Sequence, residues 1–134
     1  MPLVTNRLID FIRVHISAIG GVTPVRKLAA LCEAFGVRTA WHGPADVSPV
    51  GHAANLHLDL CCPNFGVQEW MPFTGAEQAI FPGCPQVRAG YMYPNDRPGL
   101  GIDLDEREAA RYPCPNEPIQ WTQTRTPDGT AVRP

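Results

Sequence analysis

A parallel α/β fold is predicted by two features of this chain. The motif VTPV at residues 22–25 recurs as VSPV at 47–50, an offset of 25 residues, and each copy follows a strand-like run and a glycine-containing loop. Strands that alternate with helices at such short spacing lie parallel and are joined by right-handed crossovers, as in a barrel or an open α/β sheet.

The elements follow in order. Residues 11–17, FIRVHIS, alternate β-branched side chains with Arg13 and His15 and stop before a glycine pair, which reads as a strand. After Gly20 and Gly21, Thr23 is placed to cap a helix whose first residue is Pro24. Val25, Leu28, Ala29, Cys32 and Phe35 then fall at helical spacing, and Gly36 supplies the stop. RTAWH (38–42) is the second strand, SPVGHAANLHLDLCC (48–62) the second helix, ended by Pro63, and GVQEW (66–70) the third strand. From residue 71 the pattern gives way to FPGCP, YMYPNDRPGLG, a short helix in DEREAARY capped by Asp105, and a hairpin turn at PDGT (127–130). The chain therefore divides into a β/α part, 1–70, and an irregular tail, 71–134, that belongs over another surface, with Tyr91, Tyr93 and Trp121 as its anchors.

At 134 residues one domain is expected. Eleven Lys and Arg against thirteen Asp and Glu give a net charge of −2, with no basic stripe for nucleic acid or an anionic membrane. No apolar run approaches the 18 or so residues of a membrane span, and MPLVTNRLIDFIRV carries Arg and Asp where a signal peptide is apolar, so a soluble, cytoplasmic protein is expected. The five cysteines are odd in number and unevenly spaced, which reads as reduced and mostly buried thiols.

In parallel β/α architectures ligands sit at the carboxyl ends of the strands, where loops and helix N-termini converge. His42 ends the second strand, Glu69 nearly ends the third, Asp46 stands in the loop before the second helix, and Arg13 lies on the first strand. Each has a plainer reading: His42 bonding a loop carbonyl, Asp46 as a turn residue, Arg13 facing outward. Glu69 is the harder to dismiss, because a carboxylate in an apolar strand needs a partner. His52, His57, Cys61 and Cys62 offer zinc donors, but on a helix His52 and His57 point about 140° apart and share no face. The acidic group Asp103, Asp105 and Glu106 reads as a helix N-terminus, not a cation site.

Taken together, RLIDFIRVHISAIGGVTPVRKLA, RTAWHGPADVSPVGHAANLHL, PNFGVQEW, FPGCP and YPNDRPGLGIDLDE closely resemble the C-terminal part of the mannonate dehydratase family. That family belongs to the enolase superfamily, and some members are labelled starvation-sensing or D-galactonate dehydratase-like. The resemblance covers essentially the whole chain, through the order and spacing of five segments. It implies the C-terminal portion of a (β/α)8-type barrel, strands six to eight with the intervening helices, followed by a Pro-rich tail over the barrel and a capping region. It further implies Mg2+-assisted dehydration of an acid sugar, D-mannonate or D-gluconate: the proton next to the carboxylate is removed and a neighbouring hydroxyl leaves. Arg13, His42, Asp46 and Glu69 match the family's substrate-contacting positions in residue type. The family's three carboxylate metal ligands, tyrosine base and histidine acid belong to earlier strands, so no catalytic and no metal-ligating residue is expected here. HGPADVSP departs in one place, with Ala45 where a glycine is expected. The implied readings are an inactive fragment of a hydro-lyase, a half that complements a missing N-terminal part, or a sugar-acid-binding module, with a homo-oligomer as a further possible partner state.

Overall fold

Glycine-containing loops and prolines in the first helical turns divide the first 62 residues into two β/α units. The computed structural model describes residues 1–114 and 126–130. A short helix α1 (Pro2–Thr5) leads into strand β1 (Phe11–Ile12), helix α2 (Val22–Ala34), strand β2 (Arg38–Thr39) and helix α3 (Pro49–Cys61). The two strands pair in parallel, Phe11 opposite Arg38 and Ile12 opposite Thr39, as the β/α repeat requires. Regular strand is shorter than the sequence runs predict, although the parallel course continues: Ala40 N donates to Ile12 O at 3.0 Å and His42 N to Val14 O at 3.0 Å.

GVQEW does not form a strand. The third segment contributes only an isolated parallel bridge between Thr39 and Phe65, with Gly66 N and Val67 N sharing the Thr39 carbonyl. Two donors on one acceptor break the regular ladder there, and the side chains of 68 and 69 take over: Gln68 Nε2 donates to Trp41 O at 3.2 Å. Three parallel chain segments thus lie side by side, with 38–42 in the middle.

Helix α2 starts two residues earlier than its sequence predicts, at Val22, with Gly21 at the N-cap and no side-chain cap. Thr23 is therefore inside the first turn and not the cap. Its inward face is Val25, Ala29 and Cys32, and the helix ends where Gly36 takes φ +69°, a left-handed conformation in which glycine is unstrained. In α3 the predicted start holds: Ser48 Oγ accepts from Gly51 N at 3.2 Å and Pro49 occupies the first turn. The core between the helices and the parallel segments holds Ile16, Val25, Ala29, Trp41, Ala54, Leu58 and Cys62, and a second cluster of Val4, Cys32 and Val37 lies under α1. Cys32, Cys62 and Cys84 are buried thiols and Cys61 an exposed one.

Beyond residue 70 the chain is more ordered than its composition predicts. Helix α4 (Gly75–Ile80) is fixed by a capping box, with Thr74 Oγ1 accepting from Glu77 N and the Glu77 carboxylate accepting from Thr74 N. Strands β3 (Gln86–Arg88) and β4 (Tyr91–Tyr93) form an antiparallel hairpin, and helix α5 (Glu106–Ala109) is capped by Asp105 as expected. Tyr91 and Tyr93 do not anchor the tail: they are 70% and 42% exposed on β4, because their alternate positions point away from the layer below. The PDGT turn closes through Thr126 N to Thr130 O at 3.0 Å, while the residues flanking it and the third expected anchor, Trp121, lie outside the described residues. Among the described residues no helix is long and apolar enough to cross a membrane.

Candidate functional site

The carboxyl ends of the three parallel segments bring Arg13, His42 and Glu69 together. Glu69 Oε2 accepts from Arg13 Nη2 at 2.7 Å and from Arg13 Nε at 3.2 Å, and Oε1 lies 2.9 Å from the same Nη2. The backbone N–H of Gly43 donates to Oε2 at 2.9 Å. His42 Nδ1 lies 3.2 Å from that oxygen, an ion-pair distance without the alignment of a hydrogen bond. One carboxylate oxygen therefore gathers groups from all three segments, which sit 56 and 26 residues away along the chain.

Glycine is required at 43 by space. A Cβ there would stand 2.1 Å from the Glu69 carbonyl oxygen, so the loop after the second segment lies directly on the third. Asn55, fully buried on α3, donates to the His42 carbonyl at 3.1 Å and so holds the segment end from the helix side. The Gly43 N–H, and after it Arg13 and His42, hold the Glu69 carboxyl below the usual carboxylate range against an opposing effect of burial. Glu69 is thus held in its ionised form by the groups around it. It orients a guanidinium and is poorly placed to accept a proton, whereas Arg13 keeps Nη1 free of any partner among the described residues.

His15 joins the cluster and was not singled out by sequence reasoning. Its ring lies 5.5 Å from that of His42, and its Nδ1 accepts from Ser17 N at 3.3 Å. The Ser17 hydroxyl lies 2.8 Å from the same Nδ1, so the ring is held from its own segment. The signal was present in the alternation of FIRVHIS, since i and i+2 of an extended segment share a face. Asp46 is the one expected residue that stays apart. It is exposed on the turn closed by Val47 N to Pro44 O at 3.1 Å and makes no hydrogen bond or ion pair among the described residues. His52 is buried edge-on against Phe73, with ring centroids 5.2 Å apart, while Cys61 is exposed at the far end of the same helix.

Residues 1–109 match the family described as enolase C-terminal domain-like. The chain belongs to that family. Its α/β architecture is the corresponding part of the enolase-type barrel. A D-galactonate dehydratase family member of Salmonella enteritidis PT4 is 62% identical over 99% of this chain and 32% of its own length. The crystal structure of an enolase from Pantoea ananatis with bound D-gluconate and Mg superposes with a TM-score of 0.85 at 58% identity, covering 99% of this chain and 32% of that one. A mandelate racemase/muconate lactonizing enzyme from a Jannaschia species gives a TM-score of 0.73 at 31% identity over 81% of this chain and 28% of its own. The enolase-family chain described here thus spans about a third of the length of the curated relatives it matches.

Magnesium asks for near-octahedral oxygen ligands with carboxylates among them. Among the described residues no three His, Cys, Asp or Glu side chains converge, and the Glu69 carboxylate is already taken by a guanidinium and a backbone N–H. The described residues do not fit a magnesium site.

Proposed function

We propose that this chain supplies the substrate-contacting end of an acid-sugar dehydratase of the D-mannonate or D-gluconate type, in which the proton next to the carboxylate is removed and water is then lost. The observation that carries the reading is the convergence of Arg13, His42 and Glu69 at the carboxyl ends of parallel segments, in a chain 58% identical to a relative crystallised with D-gluconate and Mg. The free Nη1 edge of Arg13 suits the acid sugar's carboxylate. His42, and Asp46 on its turn, face hydroxyls of the polyol chain. Glu69 holds Arg13 and His42 in place.

Residues 1–70 form the barrel portion in this reading, and the tail from 71 covers barrel and capping region. The metal ligands and the base that takes the proton belong to segments outside this chain. A second reading, an acid-sugar-binding or complementing subunit, is favoured by the same geometry, because the contacts between Arg13, His42 and Glu69 are complete within the chain.

One experiment separates the two. The purified chain is assayed with Mg2+ and D-mannonate or D-gluconate, and binding is followed by calorimetry. No dehydration is expected from the chain alone; turnover at the rate of a full-length member would overturn the assignment of base and metal ligands to other segments. Saturable heat with an aldonic acid, weakened by His42→Ala, supports the binding reading, and its absence removes that reading.

A further inference from the structure

The hairpin and the loop that follows it enclose a second concavity, about 370 Å³ in volume, which shares no lining residue with the Arg13–Glu69 cluster. That is the small end of the range for ligand sites. Among the described residues Arg88 and Arg97 are the only charged side chains that line it, and no carboxylate does. Neither guanidinium has a hydrogen-bond or ion-pair partner among the described residues, whereas Arg13 is engaged by Glu69 and Arg111 by Glu108.

The walls are fixed before any ligand arrives. Asn95 Nδ2 donates to Gly83 O at 3.2 Å and to Gly101 O at 2.9 Å, and Asn95 Oδ1 accepts from Arg97 N at 3.0 Å. A Cβ on Gly83 would come within 2.2 Å of the Gly101 carbonyl oxygen, so the two loop strands lie in contact. Arg88 Cζ lies over the Tyr93 ring, 4.8 Å from its centroid, a cation–π contact that takes up no N–H donor in a hydrogen bond.

We infer that this cavity binds a small, doubly charged oxyanion of the phosphate-ester or dicarboxylate class. Two guanidinium groups on one concavity, with no carboxylate among its described lining residues, offer paired N–H donors to an oxyanion. The inference is independent of the acid-sugar reading, since it uses none of the same residues.

Isothermal titration of the full chain with inorganic phosphate, malonate and acetate at constant ionic strength tests it. Saturable binding of phosphate or malonate is expected, with acetate at least about tenfold weaker, as the loss of one charge-assisted contact predicts. R88Q/R97Q weakens the dianion by at least about tenfold on the same grounds, while K27Q/R107Q, which removes equal charge outside the cavity lining, leaves it unchanged. R88K/R97K keeps part of the affinity, which separates lost contacts from a lost fold. Preference for phosphate over malonate identifies a phosphate ester, and the reverse a dicarboxylate. The proposal is overturned if no titrant gives saturable heat, or if R88Q/R97Q binds as the unsubstituted chain does.

Discussion

At the scale of single residues the site was partly legible. Arg13, His42 and Glu69 announce themselves by polar chemistry at the ends of apolar runs, and they meet. Asp46 was placed by the same reasoning and does not join them, because a turn residue faces whatever the loop faces and no periodicity fixes its direction. Asn55 and the close contact at Gly43 were not foreseen: a helix-borne amide that holds a neighbouring carbonyl, and a glycine chosen for contact, leave no local pattern. Asp59 is a different case. Burial alone raises its carboxyl from 3.8 to about 8, and its Oδ1 has no hydrogen-bond partner. The unfolded carboxyl loses its proton near pH 4 while the folded one keeps it to about 8, so the folded state binds the extra proton between those values. Stability from this group is complete below pH 4 and declines as pH rises toward 8. Asp59→Asn is accordingly expected to raise Tm at pH 8 and to change it little at pH 4. Thermal melts at the two pH values check this, and equal shifts at both would refute it.

At the scale of elements, helices were easier to read than strands. Apolar spacing and a proline-led start place α2 and α3 to within a residue or two, because the periodic stripe and the chain's punctuation agree. The third strand failed because its pairing depends on a partner carbonyl 26 residues or more away, which no local rule sees. Helix α4 was missed although its Thr74 and Glu77 carry the capping-box spacing, since six residues are too few to show a period. The β3–β4 hairpin was hidden by its turn. Both central residues are left-handed, Ala89 at φ 50° and Gly90 at φ 81°, where the signature is Asn-Gly and not Ala-Gly. An alanine held there is strained by about 1 kcal/mol. Ala89→Asn should therefore stabilise the chain by about 0.5–1 kcal/mol, or roughly 2–4 °C in Tm, measured by circular dichroism. An unchanged melting temperature would show that the turn is not under strain.

At the scale of the molecule, three parallel segments form an array whose two outer edges, along 11–14 and 64–67, pair with no further strand among the described residues. Phe11, Leu60, Phe65 and Val67 are exposed around it. Open parallel edges beside apolar surface favour pairing with another chain. The fold class was legible at this scale because the repeat of strand, glycine loop and helix is a statement about connectivity, whereas closure depends on segments a local reading cannot supply. The isolated chain is expected to self-associate. Light scattering coupled to size exclusion should give a mass above 14.7 kDa that grows with concentration; a constant 14.7 kDa across the range would count against it.

The contact between Gly43 and the third segment bears on how other sequences are to be read. A homologue that keeps the arginine, histidine and both acids but replaces this glycine by alanine would pass any inventory of polar residues. Its added methyl group would push the Glu69 segment aside and withdraw the N–H that fastens the carboxylate. The hydrogen atom in place of a side chain at position 43 is thus a diagnostic character of the site, as informative for sorting relatives as any of the charged groups.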